Sequence, residues 1–167
     1  MNVILKQPIE DSSAWNAETF KHDESWIYHL THHDIDDLHQ AMLTAKSTGK
    51  VIHQLTSNDF PLSNFMNILN DFKSELEDGR GFVLIRGLPI EQYDDEEINI
   101  IYYGIGLYLG QPVTQNGNGD LLGQVMNTGD INDKTPGCIK PTYISPTILI
   151  HPTWLACCAL EKLKKVV

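Results

Sequence analysis

The chain has 167 residues, a hydrophobic fraction of 41% and a formal net charge of -10. That apolar content excludes simple disorder and suits one domain with a modest core. The acidic balance argues against a general nucleic-acid or anionic-membrane surface, because both require a basic face; solubility is the plain reading of the charge.

No apolar run is long enough to cross a bilayer. The first residues, MNVILKQPIEDSSAW, lack the basic start, apolar middle and small-residue cleavage site of a secretory signal. A cytoplasmic protein is therefore expected. The three cysteines, Cys138, Cys157 and Cys158, all lie late in the chain. An odd number with a vicinal pair is neither a disulfide framework nor a zinc pattern.

The first region reads as irregular, with Trp15 and Trp26 as packing anchors. At Thr31 the pattern turns helical. Thr31 followed by Asp34 resembles an N-terminal capping arrangement, Ile35, Leu38 and Met42 share one face, and Gly49 is a natural stop. Residues 51–55 suggest a short strand. In FPLSNFMNILNDFKSELEDG, Phe65, Leu69, Phe72 and Leu76 recur at helical spacing before Gly79. GRGFVLIRGLP reads as a buried strand over residues 82–85 bounded by glycines and Pro89. The acidic first turn of YDDEEINIIYYGIGLYLG suits a helix N-terminus. Its apolar stripe is Ile98, Ile101, Ile105 and Leu109, with Gly104 and Gly106 weakening the helix. QPVTQNGNGDLLGQVMNTG suggests two short strands joined by a Gly-Asn turn. Up to Asp133 this is a coherent α+β module whose growing sheet is left with an open edge.

Chemistry is sparse in the spacing. His29 and His33 form an i, i+4 pair, but the run is His-Leu-Thr-His-His, without the zincin glutamate, and a cap at Thr31 would leave His29 outside the helix. Solvated polar residues at a helix start is the favoured reading. The acidic runs at residues 34–37 and 94–97 could hold a hard cation, yet both sit where first-turn acids complement the helix dipole. No P-loop or dinucleotide fingerprint is present. Gly104 and Gly106 lie inside an apolar helical pattern, and Cys157 and Cys158 have no nearby base. Spacing alone yields no catalytic and no metal-ligating residue.

The segment DGRGFVLIRGLP, followed by DDEEINIIYYGIGLYLGQPVTQNGNGDLLGQV and preceded by FPLSNFMNILNDFKSEL, resembles the taurine dioxygenase (TauD/TfdA) family over residues 15–133. These are Fe(II)- and 2-oxoglutarate-dependent dioxygenases that hydroxylate small organic substrates. The resemblance implies a double-stranded β-helix, a jelly roll of the clavaminate-synthase type. It also implies a His-x-Asp pair plus a distant histidine, a facial triad that leaves open positions on iron. By position in the family pattern, Gln115 and Asn116 would face the substrate; turn formation is their plainer role. The chain departs from the pattern at the metal, since no His-x-Asp follows residue 53 and His151 is succeeded by Pro152 and Thr153.

The tail explains that departure. Back-translated and read from each codon's third base, the junction of Cys138 and Ile139 must encode Tyr or His, and the next three codons permit Gln, Thr and Asn. The codons across residues 147–150 permit His, Thr or Ser, and Asp. The junction of Cys157 and Cys158 is forced to Leu. This hidden frame follows the family through its metal motif, so residues 1–136 are expected to be the N-terminal portion of a dioxygenase domain and residues 137–167 an out-of-frame tail. The chain as written would then bind neither Fe(II) nor 2-oxoglutarate.

Two other readings stand beside this one. YISPTILI and WLACCALEKLKK could be a genuine strand and helix. The acidic helical half could be a non-enzymatic binding or regulatory module. Such a module would fold cooperatively, whereas a severed jelly roll would expose apolar strand edges and aggregate.

Overall fold

The computed structural model describes residues 20–114 continuously, residues 12, 14–16, 18, 119, 121 and 122, and two short strands near the C-terminus. In chain order it contains strand β1 (Ile27–His29), helix α1 (His32–Ser47), helix α2 (Phe65–Glu77), strand β2 (Val83–Arg86), helix α3 (Asp95–Leu109), and strands β3 (Thr147–Ile150) and β4 (Cys157–Ala159). Single 3-10 turns lie at Ile52–Gln54 and Ile90–Gln92.

Helix α1 starts where Thr31 accepts the backbone N–H of Asp34 and the Asp34 carboxylate accepts that of Thr31, a complete capping box. Leu38, Ala41, Met42 and Ala45 are its buried apolar stripe, while Ile35, expected on that face, is half-buried. The helix closes at Thr48, and Gly49 follows at φ 67, the left-handed conformation that a helix stop favours. On α2 the four expected residues, Phe65, Leu69, Phe72 and Leu76, are all buried. On α3 Ile98, Ile101 and Ile105 are buried, and Leu109 is only partly so.

Residues 51–55 are not a strand. The Gln54 N–H donates to the Val51 carbonyl at 2.9 Å and the Leu55 N–H to that of Ile52 at 3.1 Å, so a 3-10 turn satisfies this backbone locally. Val51 is 52% exposed. A β-favouring run becomes a strand only beside a partner, and none of the described strands pairs with it.

The sheet order is β1-β2-β3-β4, with β1 and β2 parallel and the other two pairings antiparallel. A parallel neighbour needs a crossover, and α1 and α2 supply it between β1 and β2. Residues 157–159 are extended, which corrects the helix of the alternative tail reading over that stretch. The architecture is mixed α and β, as expected. Among the described residues there is one sheet of four short strands, so the pair of facing sheets that makes a jelly roll is not confirmed.

The three helices enclose one core on a single side of the sheet. Its fully buried side chains are Phe60, Phe65, Leu38, Met42, Leu69, Ile85, Ile101 and Ile105, each contributing about 1.5–3 kcal/mol of burial free energy. Trp15 and Trp26 do act as anchors: with Phe20 and Phe82 they form an aromatic cluster with centroid separations from 5.0 to 5.9 Å. The Trp15 indole also donates to the Arg80 carbonyl at 3.1 Å, although the residue stays 49% exposed.

Candidate functional site

Side chains alternate across a strand, so each has a helix side and a far side. Tyr28, Val83 and Ile85 pack into the helix-side core. Ile27, His29, Leu84 and Arg86 therefore stand on the other face, where the parallel register sets Ile27 beside Leu84 and His29 beside Arg86. Leu84 is buried there as well, at 6% exposure. Immediately after Arg86 the chain turns at Gly87, whose φ of 99 an L-residue would adopt only with strain.

Arg86 is the unusual member of this face. Its Nε is buried and has no hydrogen-bond partner among the described residues. A guanidinium keeps its charge at any working pH, and a buried unpaired donor costs about 1–3 kcal/mol. Carboxylates and phosphates are the acceptors it suits best. If no acceptor reaches it in solution, Arg86→Met is expected to leave stability within about 1 kcal/mol of the parent or to raise it. A urea titration checks this; a loss above about 2 kcal/mol would mean that the guanidinium is paired.

The junction between β1 and α1 is a polar network. The Tyr28 hydroxyl donates to Asp34 Oδ2 at 2.9 Å, and the Thr31 N–H and hydroxyl each donate to the same oxygen at 2.8 Å. Burial, then the bond to Asp34, pushes the Tyr28 phenol up to about 12. His32 and Asp34 spell a His-x-Asp, but residues two apart on a helix do not face each other, and the Asp34 carboxylate is already committed. His29 lies on β1 and His33 in the first turn of α1, both exposed. Among the described residues no three His, Cys, Asp or Glu side chains gather as a metal site would need.

The acidic runs have structural work instead. Asp37 accepts the Ser63 N–H at 3.1 and 3.0 Å and the Phe65 N–H at 3.0 Å. It thereby caps α2 from α1, where Asn64 offers no side-chain cap. Asp94 and Glu97 form the capping box of α3, and Lys46 at the end of α1 reaches Glu97 at 2.8 Å and Asp94 at 3.4 Å. The Glu97 N–H holds the Asp94 carboxyl below its usual range; the Lys46 ammonium does the same for Glu97. These carboxylates fasten helices to one another. Sequence spacing found the cap of α1 and the acidic first turn of α3, but not the Asp94–Glu97 capping box, and it missed the cap from Asp37 because its partners lie on another helix.

Gln115 and Asn116, the expected substrate-side pair, lie outside the described residues, as does nearly all of the strand pair expected around them. The described residues thus contain a scaffold and one buried guanidinium nitrogen without an acceptor, and no catalytic constellation.

The comparisons bear on the scaffold. No family model matches the chain. It is similar to FR-33289 synthase of Streptomyces rubellomurinus. The two are 28% identical over 134 residues, which is 79% of this chain and 40% of that protein. A taurine hydroxylase-like protein of Stachybotrys chartarum is 26% identical over 108 residues, 65% of this chain and 28% of that protein. The chain therefore spans less than half the length of either relative. At this low identity the names suggest a TauD-like dioxygenase family, the one the sequence resembles. Among the described residues no helix is long and apolar enough to cross a membrane.

Proposed function

We propose that the chain carries the N-terminal part of a TauD/TfdA-like, Fe(II)- and 2-oxoglutarate-dependent dioxygenase acting on a small organic molecule. The observation that carries this reading is the similarity over 134 residues to the synthase, joined by the taurine hydroxylase-like protein. The complete fold in this reading is a jelly roll, to which β1, β2 and the three helices contribute an outer layer.

In the same reading residues 137–167 are an out-of-frame continuation. The donors present do not fit iron: the described residues bring no three ligands together, and no His-x-Asp follows residue 53. Without the metal, 2-oxoglutarate loses its bidentate anchor, so the chain as written is inactive.

Sequencing the gene and its transcript across the codons for residues 135–167 tests this directly. The expected result is an in-frame His-x-Asp continuation with a later histidine. The protein expressed from that frame should release succinate from 2-oxoglutarate only when Fe(II) is supplied, and the chain as written should release none. A genome and transcript with no alternative frame would overturn the frameshift, and a frame-corrected protein with no succinate release would overturn the dioxygenase assignment.

A further inference from the structure

β2 has a neighbour on each of its two edges. On one side β1 lies parallel, with His29 beside Arg86. On the other side β3 lies antiparallel, with Thr147 opposite Arg86 and Ile148 opposite Ile85. β1 belongs to the part of the chain that resembles the dioxygenases. β3 belongs to residues 137–167, the stretch read as out of frame.

Backbone pairing is indifferent to sequence, since every residue other than proline offers the same N–H and C=O. Any extended segment can therefore occupy a free edge of β2. Side-chain pairing is not indifferent. Arg86 Nε is buried and has no hydrogen-bond partner among the described residues, so His29, its neighbour on β1, does not accept from it. Roughly 90% or more of buried polar groups in folded proteins are bonded, and a buried charge is ordinarily paired. Here the strand edge is filled and the guanidinium nitrogen beside it is not. A substitute strand leaves that signature, because it meets the backbone and misses the side chain.

Resting on the dioxygenase reading above, we propose that this edge of β2 is the seat of a strand from the in-frame continuation, and that the continuation carries a carboxylate that pairs with Arg86. A carboxylate matches both the charge and the fork of the guanidinium. The matched region is 40% of one relative and 28% of the other, so in that reading more than half of a complete enzyme remains to supply the strand. In the chain as written β3 is its stand-in.

The test compares Arg86 variants in two full-length proteins, the chain as written and the frame-corrected protein, by urea unfolding. In the frame-corrected protein Arg86→Met should lower the folding equilibrium constant about thirtyfold, because it leaves a buried carboxylate unpaired. Arg86→Lys, which keeps the charge, should recover part of that loss, and Arg86→Gln, which keeps a donor without the charge, should recover none. In the chain as written all three variants should stay within about fivefold of the parent. The Arg86 Nε–H resonance, read by NMR in the two unmutated proteins, should lie downfield in the frame-corrected one, so the pairing is tested even where a variant fails to fold. Equal effects of Arg86→Met in the two proteins overturn the proposal: if large, the acceptor lies in residues they share, and if small, there is none. An unchanged Nε–H resonance overturns it too, and recovery by Arg86→Gln as complete as by Arg86→Lys overturns the carboxylate. Each of these failures would leave succinate release by the frame-corrected protein intact, which separates them from a failure of the dioxygenase assignment. A gene without an alternative frame overturns the proposed strand together with the frameshift.

Discussion

Replacing Gly104 by alanine is expected to destabilise the fold by about 2 kcal/mol, although alanine is the better helix former by about 1 kcal/mol. The reason is Phe60. A Cβ placed at residue 104 would come within 2.6 Å of three atoms of the Phe60 ring, far inside van der Waals contact. The ring has nowhere to go. Phe60 is fully buried, its carbonyl accepts the Tyr108 hydroxyl at 2.8 Å, and its N–H donates to the Thr56 carbonyl at 3.3 Å. The loop from residue 56 to residue 62 is thus pinned to α3 at Tyr108, which also accepts the Leu62 N–H at 3.1 Å. Urea midpoints of four proteins separate the two opposing effects: the parent, Gly104→Ala, Phe60→Leu and the double variant. A leucine in place of Phe60 is smaller and more adaptable, and in that background Gly104→Ala should lose most of its penalty or become favourable. If Gly104→Ala costs the same in both backgrounds, the close packing is not what fixes the glycine.

The same pair shows where the sequence is readable and where it stops. Local periodicity marks the buried faces of α2 and α3, because Phe65, Leu69, Phe72 and Leu76 must all point one way once a helix forms. The capping box at Thr31 is equally local and equally visible, whereas at Asp94 only the acidic first turn is read and the box itself is not. Gly104 reads in isolation as a weak point of a helix; it is a packing site, and the aromatic that demands it lies 44 positions earlier. Asp37 reads as one acid in a run, yet it caps a helix that starts 28 residues on. Residues 51–55 carry strand composition but no partner, and partnership is not written in a five-residue window. The far-side face has the same character. Arg86 is plain in the strand, but that its Nε lacks an acceptor among the described residues depends on everything packed around it. The candidate substrate pair Gln115 and Asn116 came from family resemblance alone, and they lie outside the described residues.

Asp34→Ala should be the most damaging polar substitution, at about 3 kcal/mol, or a fall of roughly 6–12 °C in Tm for a chain of this size. Asp34 is only 5% exposed and its Oδ2 receives three hydrogen bonds at once, from the Tyr28 hydroxyl, the Thr31 N–H and the Thr31 hydroxyl. Truncation strands the phenol and the backbone donor together and dismantles the cap of α1. Tyr28→Phe removes one of these bonds and should cost about 1 kcal/mol. The double variant should cost less than the sum of the two, because the Tyr28–Asp34 bond can be lost only once. The network also has a pH signature. Its phenol is raised from 10.0 to about 12 in the folded chain, so above the unfolded value the folded state holds a proton that the unfolded state has released. The contribution is therefore complete below pH 10 and declines as pH rises toward 12. Burial also raises the Tyr93 and Tyr103 phenols, so the measurable quantity is a difference: stability of the parent minus that of Tyr28→Phe, followed from about pH 9 to 12 by urea unfolding. That difference should shrink across the window. If it stays constant, the Tyr28 proton is not shared with Asp34, and the junction of β1 and α1 is held by the Thr31 cap alone.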